Sequence, residues 1–291
     1  MRIEIINSRT NNSITLESYV YTSGILITYF NPGNVEGIFN KVKGVGQNGA
    51  TLLSTTLEER TPPEIQAVIL ADDRTELSVL KKNIDDVLNP LDELIIKYYD
   101  EEINKEIECS AESTPKYSTD YKVNNDFALA FSASFECFKP FWTDQEETVL
   151  NVETWQDGFE FEFQLTTDGV EFARKGPNEI EIINDGNVEA PLEIFFKGPA
   201  LNPSITLNDD RFIKVNRSLL DDETLYIRTM FGNKAVQVIK ENSTEQAYHY
   251  IDINSSFFSL GTGLNKISYT TDGNFLPQSV ILKYKRHYFS L

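Results

Sequence analysis

Hydrophobic and polar positions alternate over short runs along most of the chain. The runs Ile3–Ile6, Ile14–Tyr21 and Ile25–Phe30 are rich in β-branched and aromatic residues, and Ser, Asn, Thr and Gly separate them. This period of two is typical of β-strands with one buried face. Further runs of this kind predict strands at Glu64–Leu70, Leu94–Tyr99, Ile103–Cys109, Phe127–Phe138, Phe212–Val215, Thr224–Met230, Ala235–Ile239, Ile267–Tyr269 and Val280–Tyr288.

One stretch has a helical period instead. From Arg74 to Leu88 the apolar residues recur at every third or fourth position, and Asn89–Pro90 ends the run. Asp72 and Asp73 directly precede this run, where N-cap residues of a helix are found. The pattern predicts a helix at about Thr75–Leu88 whose single apolar face lies on a sheet as a lid.

A hairpin-like pattern surrounds residues 184–191. The strand formers Ile180–Ile183 and Leu192–Phe196 flank Asp185-Gly186-Asn187, which predicts a tight turn with a residue at positive φ. Prolines at 199 and 203 then end the second strand, because proline cannot donate to a sheet ladder. We therefore predict an all-β sandwich with this hairpin at its centre.

A domain junction is predicted near residue 142. The long run Phe127–Phe138 leads to Pro140 and Trp142, and a large ring at the end of a strand suits the boundary between two bodies. The chain has 291 residues, which is enough for two domains that each bury a core. We predict domains at 1–142 and 143–291.

Composition and charge exclude several classes of function. The 45 acidic side chains outnumber 26 basic ones, and the net charge of −19 argues against stable nucleic-acid binding. The longest apolar run near the N-terminus, Gly24–Phe30, is too short for a membrane span or a signal peptide, so we expect a protein made in the cytosol. Cys109 and Cys137 rule out a disulfide framework, and we expect both to be buried in a reducing compartment.

Candidate catalytic and ligand-binding patterns are weak. Gly44–Gly49 satisfies G-x-G-x-x-G, but no helix follows it, so we interpret it as a glycine-rich loop of a sheet. Glu160 and Glu162 lie on one strand face, a geometry that a glycosidase would use, although a solvated strand face is the simpler interpretation. His249 and His287 are each flanked by tyrosine and are interpreted as strand side chains.

Metal sites are also not predicted. Two cysteines 28 positions apart cannot supply a zinc site. Calcium has oxygen donors available in acidic doublets, but none of them forms a D-x-D-x-D-G arrangement. These doublets are Asp72–Asp73, Asp85–Asp86, Asp209–Asp210 and Asp221–Asp222.

Residues 186–203 follow the order Gly-Asn, Pro, an apolar strand, Gly and then Asn-Pro, and this order resembles the second half of proteins of the distal tail protein (Dit) family, the siphovirus-type tail components. Near the C-terminus Ser256–Ile267 is similar to the family's phenylalanine, leucine, Gly-x-Asn-x-Ile order, and Phe138–Trp142 resembles its junction, with Lys139 where a carboxylate often stands. Lys43–Gly46, Arg60 with Glu64–Val68, and Leu88–Pro90 look like its N-terminal half. The resulting family-signature positions, expected to be structural, are Gly44, Gly46, Pro140, Trp142, Gly186, Asn187, Pro191, Gly198, Asn202, Pro203, Leu260, Gly263 and Asn265.

The resemblance implies a fold and an assembly. The expected fold is all-β with one main helix: an N-terminal split-barrel-like β domain that forms a ring, and a C-terminal galectin-like β-sandwich. The expected protein is a structural tail-tip hub, not an enzyme, and it has no cofactor or metal. A ring would need an interface, which we expect either near Gly44–Gly49 or at an open edge of Ile65–Leu70.

The implied partners follow from that role. They are other copies of the chain in a homohexameric ring, the tail-tube protein, the tail-associated tip protein, and receptor-binding or carbohydrate-binding proteins. DNA would pass through the lumen without stable binding, and the location would be the virion tail tip, with assembly in the host cytoplasm. A lectin-like carbohydrate-binding sandwich is the alternative, and a glycosidase ranks third.

Overall fold

The computed structural model describes residues 1–19, 22–152, 155–157, 173–175, 179–273 and 279–291. The chain divides into an N-terminal unit, Met1–Gln145 with Tyr288–Leu291, and a C-terminal unit, Glu146–His287. Within the described ranges, one α-helix, α1 (Arg74–Val87), and one 3-10 turn (Tyr248–Tyr250) accompany 26 short strands. The predicted all-β class with one main helix is confirmed.

The strands of the N-terminal unit follow the predicted runs closely, with four additional strands, two of which flank the predicted glycine-rich loop. In chain order they are β1 Arg2–Asn7, β2 Ser13–Glu17, β3 Ile25–Asn31, β4 Gly37–Val42, β5 Thr51–Leu57, β6 Glu64–Leu70, β7 Glu93–Asp100, β8 Ile103–Ala111, β9 Lys116–Tyr117, β10 Ala128–Glu136 and β11 Trp142–Asp144.

Seven of these strands close into a barrel in the order β8-β7-β1-β2-β3-β6-β10, and β10 returns to β8. The closing contact is short. It pairs only Phe135 with Ala111 and Glu136 with Ser110, whereas β10 pairs with β6 from Ala128 to Ser134. We call this β8–β10 contact the barrel seam. A barrel with one brief closing contact is the split barrel that was predicted.

The position of β6 corrects one expectation. β6 hydrogen-bonds to β3 on one side and to β10 on the other. Its backbone groups are therefore already paired, and strand addition at Ile65–Leu70 is ruled out. The suggestion that this strand offers an open edge for a ring interface was wrong.

Alternation along the strands builds the barrel core. Every second residue of β1 is buried, beginning with Ile3 and Ile5, and the same pattern runs through β6 and β10. Burial of these side chains is the main source of stability. The fully enclosed members of this core include Ile3, Ile5, Leu16, Ile65, Ile69, Ile84, Leu88, Phe135 and Trp142.

Helix α1 covers part of this core, as the sequence predicted. Asp73 caps it, since its Oδ1 accepts from the backbone N–H of Thr75 at 2.7 Å and of Glu76 at 2.8 Å. Glu76 returns the bond by accepting from the N–H of Asp72 at 2.7 Å. The buried side chains of α1 are Leu77, Ile84 and Val87, and the helix packs on β1, β2 and β6.

A hydrogen-bonded carboxylate ties the end of α1 to β1. The amide of Asn7 donates to the carbonyl of Val87 at 3.2 Å and to Asp92 Oδ2 at 2.9 Å, and Arg9 Nε donates to Asp92 Oδ1 at 2.6 Å. The Arg9 guanidinium, and then the Asn7 amide, lower the pKa of Asp92 from 3.8 to about 2.

The stability of the N-terminal unit should therefore depend on Asp92 in acid. Because the pKa of Asp92 is lower in the folded chain than in the unfolded chain, its contribution is fully present above pH 3.8 and is lost as the pH falls through about 2. In urea unfolding at about pH 6, 4 and 2.5, the free energy of unfolding should fall more steeply with decreasing pH for the wild type than for Asp92→Asn. Asp126→Asn, which removes an exposed carboxylate 3.5 Å from Arg74, should behave like the wild type. Equal slopes for wild type and Asp92→Asn would contradict this assignment.

The C-terminal unit is built from shorter strands. They are β12 Thr148–Val152, β13 Trp155–Asp157, β14 Ala173–Lys175, β15 Glu179–Asn184, β16 Glu193–Lys197, β17 Ala200–Leu201, β18 Ser204–Leu207, β19 Arg211–Lys214, β20 Ser218–Leu219, β21 Thr224–Arg228, β22 Ala235–Lys240, β23 Ser243–Gln246, β24 Gly263–Thr270 and β25 Ser279–Tyr284. The last strand, β26, is His287–Tyr288.

Two sheets form the predicted β-sandwich. One has the order β12-β25-β16-β21-β22-β23 and the other β15-β24-β18-β19. A second hydrophobic core contains residues from both sheets, for example Phe196 and Tyr269, whose rings meet edge to face with 6.2 Å between their centroids. The galectin-like sandwich predicted for this part of the chain is confirmed.

The predicted central hairpin was wrong. β15 pairs with β24 in one sheet, while β16 pairs with β21 and β25 in the other. The intervening residues cross between sheets because they have partners of their own: Val188 bridges to His287, and Ala190 bridges to Leu260. β25 pairs with β12 and β16 inside the C-terminal unit, and of the residues that follow it only Tyr288–Leu291 belong to the N-terminal unit.

Candidate assembly surface

The strands β4 and β5 form an exposed two-stranded hairpin, which we call the arm (Gly37–Leu57). Their register runs from Gly37 opposite Leu57 to Val42 opposite Thr51, with an irregularity after Asn40. The arm is a sheet by itself: within the described ranges neither strand pairs with any other. All residues of β4 and β5 are exposed. Both outer edges are thus unpaired, and an isolated hairpin is marginally stable in water.

The arm is apolar and basic in an acidic chain. Lys41 and Lys43 are its only charged residues, and the remaining residues hold all 45 acidic side chains. Exposure of this many apolar groups on one small element marks an interaction surface. Its large exposed hydrophobic side chains, from 41% exposed for Leu57 to 109% for Val45, are Ile38, Phe39, Val42, Val45, Leu52, Leu53 and Leu57.

The tip of the arm contains the G-x-G-x-x-G sequence. Gly46 and Gly49 have positive φ values of 77° and 83°, and the N–H of Gln47 donates to the carbonyl of Gly44 at 3.2 Å. A β-strand follows this loop, so it lacks the helix N-terminus that a dinucleotide phosphate needs. The interpretation as a glycine-rich sheet loop is correct, and Gly44 and Gly46 lie at an exposed tip.

Arg60 holds the base of the arm. Its side chain is fully buried, and its Nη1 donates to the carbonyls of Gly33 at 2.7 Å and Pro32 at 3.1 Å. The backbone adds to this anchor: the N–H of Thr61 donates to the carbonyl of Asn34 at 2.8 Å. Gly33 is required here, because a Cβ at this position would lie 2.1 Å from the carbonyl oxygen of Thr61.

The same guanidinium binds two further segments. Nε of Arg60 donates to the carbonyl of Pro140 at 2.9 Å, and Nη2 donates to that of Phe289 at 2.5 Å. Its carbon also lies 5.9 Å from the centre of the Trp142 ring. Burial lowers the pKa of the Arg60 guanidinium below its ordinary value. One side chain therefore fixes the arm base, the signature residue Pro140 and the chain end. Trp142 is a core residue of this unit.

Three signature residues of the C-terminal unit come together around buried Asn184. Its Nδ2 donates to the carbonyls of Val188 at 3.1 Å and Leu260 at 3.2 Å, and its Oδ1 accepts from the N–H of Gly186 at 3.0 Å. The N–H of Asn187 donates to the carbonyl of His287 at 3.2 Å. The residue with positive φ predicted in this turn is absent from 185–187; Gly186 is required instead because a Cβ there would lie 2.7 Å from the His287 carbonyl oxygen.

The remaining signature residues lie at separate turns. The backbone of Gly198 lies so close to that of Leu220 that a Cβ at residue 198 would be 1.9 Å from the Leu220 carbonyl oxygen. Asn202 has a positive φ of 48° and donates from Nδ2 to Asp272 at 2.9 Å, and the carbonyl of Pro203 accepts from Val215 at 3.0 Å. Asn265 donates to the carbonyls of Gly261 and Gly263 at 2.7 and 2.9 Å. Pro191 directly precedes Leu192, whose N–H donates to Thr229 Oγ1 at 2.8 Å. Their role as a family signature stays a prediction.

The candidate chemistry is not assembled in the described ranges. Glu160 and Glu162 lie outside these residues. His249 belongs to the 3-10 turn, with its ring 3.9 Å from that of Tyr250, centre to centre, and is not on a strand as expected. The described side chains contain no group of three or more His, Cys, Asp or Glu placed to hold a metal ion. No helical segment with described structure has the length and apolarity needed to cross a membrane.

Sequence reasoning missed the two strands of the arm and its anchor, although it expected a ring interface near Gly44–Gly49, and that interface stays a prediction. The apolar residues of β4 and β5 do not alternate regularly with polar ones, so neither run stood out as a strand. Arg60 was noted for its position in a family order, and nothing in the sequence indicates that it is buried. The signal that was available is the absence of acidic residues from 37 to 57 in so acidic a chain.

Comparisons with known proteins agree with this architecture. Residues 185–288 match the family model for the siphovirus-type tail component, C-terminal domain. The fold is similar to the crystal structure of SPP1 Dit, described as a paradigm of the hub of the adsorption apparatus in phages that infect Gram-positive bacteria. That likeness has a TM-score of 0.63 and 12% identity, and it covers 98% of each chain.

Two phage P2 baseplate structures in the activated conformation are also similar. The structure with calcium has a TM-score of 0.50 and 11% identity, and the structure with strontium has 0.51 and 10%; each covers 98% of both chains. No curated protein has significant sequence similarity to the chain. Residues 185–288 thus match the model of the siphovirus-type tail component, and the resemblance to distal tail proteins is confirmed.

Proposed function

We propose that this protein is a structural hub of a phage tail, which connects the tail tube to the tip complex at the virion tail tip after assembly in the host cytoplasm. The observation that carries this proposal is the tail-component domain at residues 185–288. The likeness to SPP1 Dit over 98% of both chains extends the same architecture to the N-terminal unit. The role is structural in this proposal, and in the part of the chain that the structure describes the signature residues form turns and close backbone contacts.

The arm is the surface that forms the ring in this proposal. A ring requires a heterologous interface, in which one patch of each copy meets a different patch of the next. The arm has two unpaired strand edges and a row of exposed apolar side chains such as Phe39 and Leu53, and these would be covered by a neighbouring copy. Strand addition and apolar burial would then act together.

Charge favours a second copy as the occupant. Lys41 and Lys43 give the arm a formal charge of +2, whereas the whole chain carries −19. A basic, apolar arm is attracted to an acidic surface, and every other copy of this chain supplies one. The matching patch on the neighbour would lie in the N-terminal unit, which forms the ring in this proposal, with six copies as the expected number.

The same charge suits the passage of DNA. Six copies would carry a formal charge of six times −19, or −114. If part of this charge lines the lumen, a polyanion passes without adhering to the wall. A determined ring with a neutral or basic lumen would contradict this part of the proposal.

Capture experiments test the proposed function against its alternative. The full chain, immobilised, should retain the tail-tube protein and the tail-associated tip protein encoded by the same phage or prophage. The same preparation applied to a glycan array should bind no saccharide. Binding to saccharides together with failure to retain either tail protein would overturn the hub and favour the lectin-like module.

A further inference from the structure

Cys109 and Cys137 face each other across the barrel seam. The seam pairs Glu136 with Ser110 in an antiparallel register, and the next pair in that register is Cys137 with Cys109. We propose that these two cysteines are a latent disulfide site, and that their oxidation closes the barrel covalently where its strand pairing is shortest.

The register gives the pair the geometry that a disulfide needs. The N–H of Glu112 donates to the carbonyl of Ser134 at 3.0 Å, and hydrogen-bonded pairs alternate with non-hydrogen-bonded pairs along an antiparallel ladder. Counting along that ladder makes Cys109 and Cys137 a non-hydrogen-bonded pair, with Cα atoms about 4.5 Å apart. This separation lies within the range of about 4.4–6.8 Å found for disulfides.

Both side chains lie on the same inner face. Cys109 continues the buried alternation of β8 after Ile107, and Cys137 continues that of β10 after Phe135; their exposed fractions are 4% and 1%. The two thiols are within hydrogen-bonding reach of each other. No rearrangement of the backbone is therefore needed to bring the sulfurs together.

The thiols remain reduced while the seam is closed. Burial raises the pKa of the Cys109 thiol well above its ordinary value, so little thiolate is present to attack a disulfide. Side-chain hydrogen bonds also hold the seam on either side of the cysteine pair: Ser134 donates to Glu112, and Lys139 donates to Glu108. Oxidation thus requires transient opening at the seam, where only two residue pairs close the barrel.

The reaction is an exchange with a small-molecule disulfide such as oxidised glutathione. One cysteine loses its proton and attacks, which gives a mixed disulfide and releases one glutathione thiolate. The second cysteine, as thiolate, then displaces the other glutathione. One S–S bond forms in the protein, the S–S bond of the oxidant is broken, and the two protons lost by the protein end on two glutathione thiols.

A biological role for this disulfide site follows from the two compartments in which a tail hub exists, and only this part of the inference rests on the proposed function. A tail hub is assembled in a reducing cytoplasm and then spends its working life outside the cell, in oxidising surroundings. The pair would allow folding and assembly with free thiols, and it would later lock the barrel.

Oxidation of the purified full chain tests the inference without reference to tail assembly. The reduced protein is equilibrated with buffers in which the ratio of oxidised to reduced glutathione increases, with and without a low concentration of urea that opens the seam. Its disulfides are then mapped by mass spectrometry. We expect a peptide that joins Cys109 to Cys137 and a melting temperature of the N-terminal unit that rises by about 10 °C.

The single variants Cys109→Ala and Cys137→Ala serve as matched controls. Neither should show the rise in melting temperature on oxidation, whatever its melting temperature in the reduced state. Free thiols or glutathione adducts at equilibrium in the presence of urea would overturn the inference. So would a disulfide that lowers the melting temperature of the wild type.

Discussion

Replacing Arg60 with methionine is expected to lower the free energy of unfolding of the N-terminal unit by about 3–5 kcal/mol. Methionine keeps an unbranched apolar chain but has no donor. The carbonyls that Arg60 now binds, those of Pro32, Gly33, Pro140 and Phe289, would lose this donor; the bond to Gly33 is buried and the other three are partly buried. Each buried acceptor left unpaired costs about 1–3 kcal/mol, which is partly offset because a charged group no longer needs to be desolvated.

Two measurements report on this variant. Urea unfolding followed by the fluorescence of Trp142, which lies in the core beside Arg60, gives the stability of the N-terminal unit. Carboxypeptidase digestion reports on the chain end, which should be released faster because Arg60 no longer binds Phe289.

The control for this prediction is Arg74→Met. Arg74 has a side chain that is 81% exposed and a single 3.5 Å ion pair with Asp126, so its loss should change stability by less than about 0.5 kcal/mol. If Arg60→Met were as stable as this control, Arg60 would not be the anchor of the arm.

Ring formation should be abolished when the apolar surface of the arm is removed. A variant with Ile38, Phe39, Leu52 and Leu53 all changed to serine should fold, because each of these side chains is already 46–60% exposed. Its self-association should be weakened at least about 100-fold, since a few large apolar side chains carry most of an interface's energy. Sedimentation velocity over a concentration series, with and without the tail-tube protein, measures the loss.

A second fourfold variant separates this effect from a general loss of surface hydrophobicity. Val79, Leu91, Tyr121 and Phe138 are 54–92% exposed in the same unit and lie outside the arm. Their replacement by serine should leave assembly close to that of the wild type. Equal assembly by the arm variant and the wild type would remove the arm from the interface, and equal loss in both variants would do the same.

The sequence predicted local structure well wherever one side of an element is buried. β1, β6 and β10 alternate strictly because each has one face on a core, and α1 has its caps and its apolar stripe in sequence. Such signals are local, and a period of two or of 3.6 residues is all that is needed to see them.

Pairing between strands was harder to predict, because it depends on residues far apart in the chain. β15 and β16 have the composition of a hairpin, yet long-range partners such as β24 and β25 place them in different sheets. Cys109 and Cys137 were expected to have no partner nearby in sequence, and closure of the barrel sets them opposite each other. The turn Asp185–Asn187 was predicted to contain a residue at positive φ, whereas the close approach of the His287 backbone is what excludes a side chain at Gly186.

The arm was missed for a different physical reason. Its strands bury neither face within one chain, so the alternation that identifies a strand has no cause there. If the arm is buried in a ring, its sequence is shaped by a partner that a single chain does not contain. The buried position of Arg60 was also not predictable from the sequence, because its acceptors are backbone carbonyls that any sequence would supply.

Native mass spectrometry of the wild-type chain tests the central claim most directly. The chain is measured over a range of concentrations, alone and with the tail-tube protein of the same phage. The account predicts a closed assembly of six copies, formed by the chain alone or on the tube as template. A species that remains monomeric at every concentration, even with the tube protein present, would contradict it.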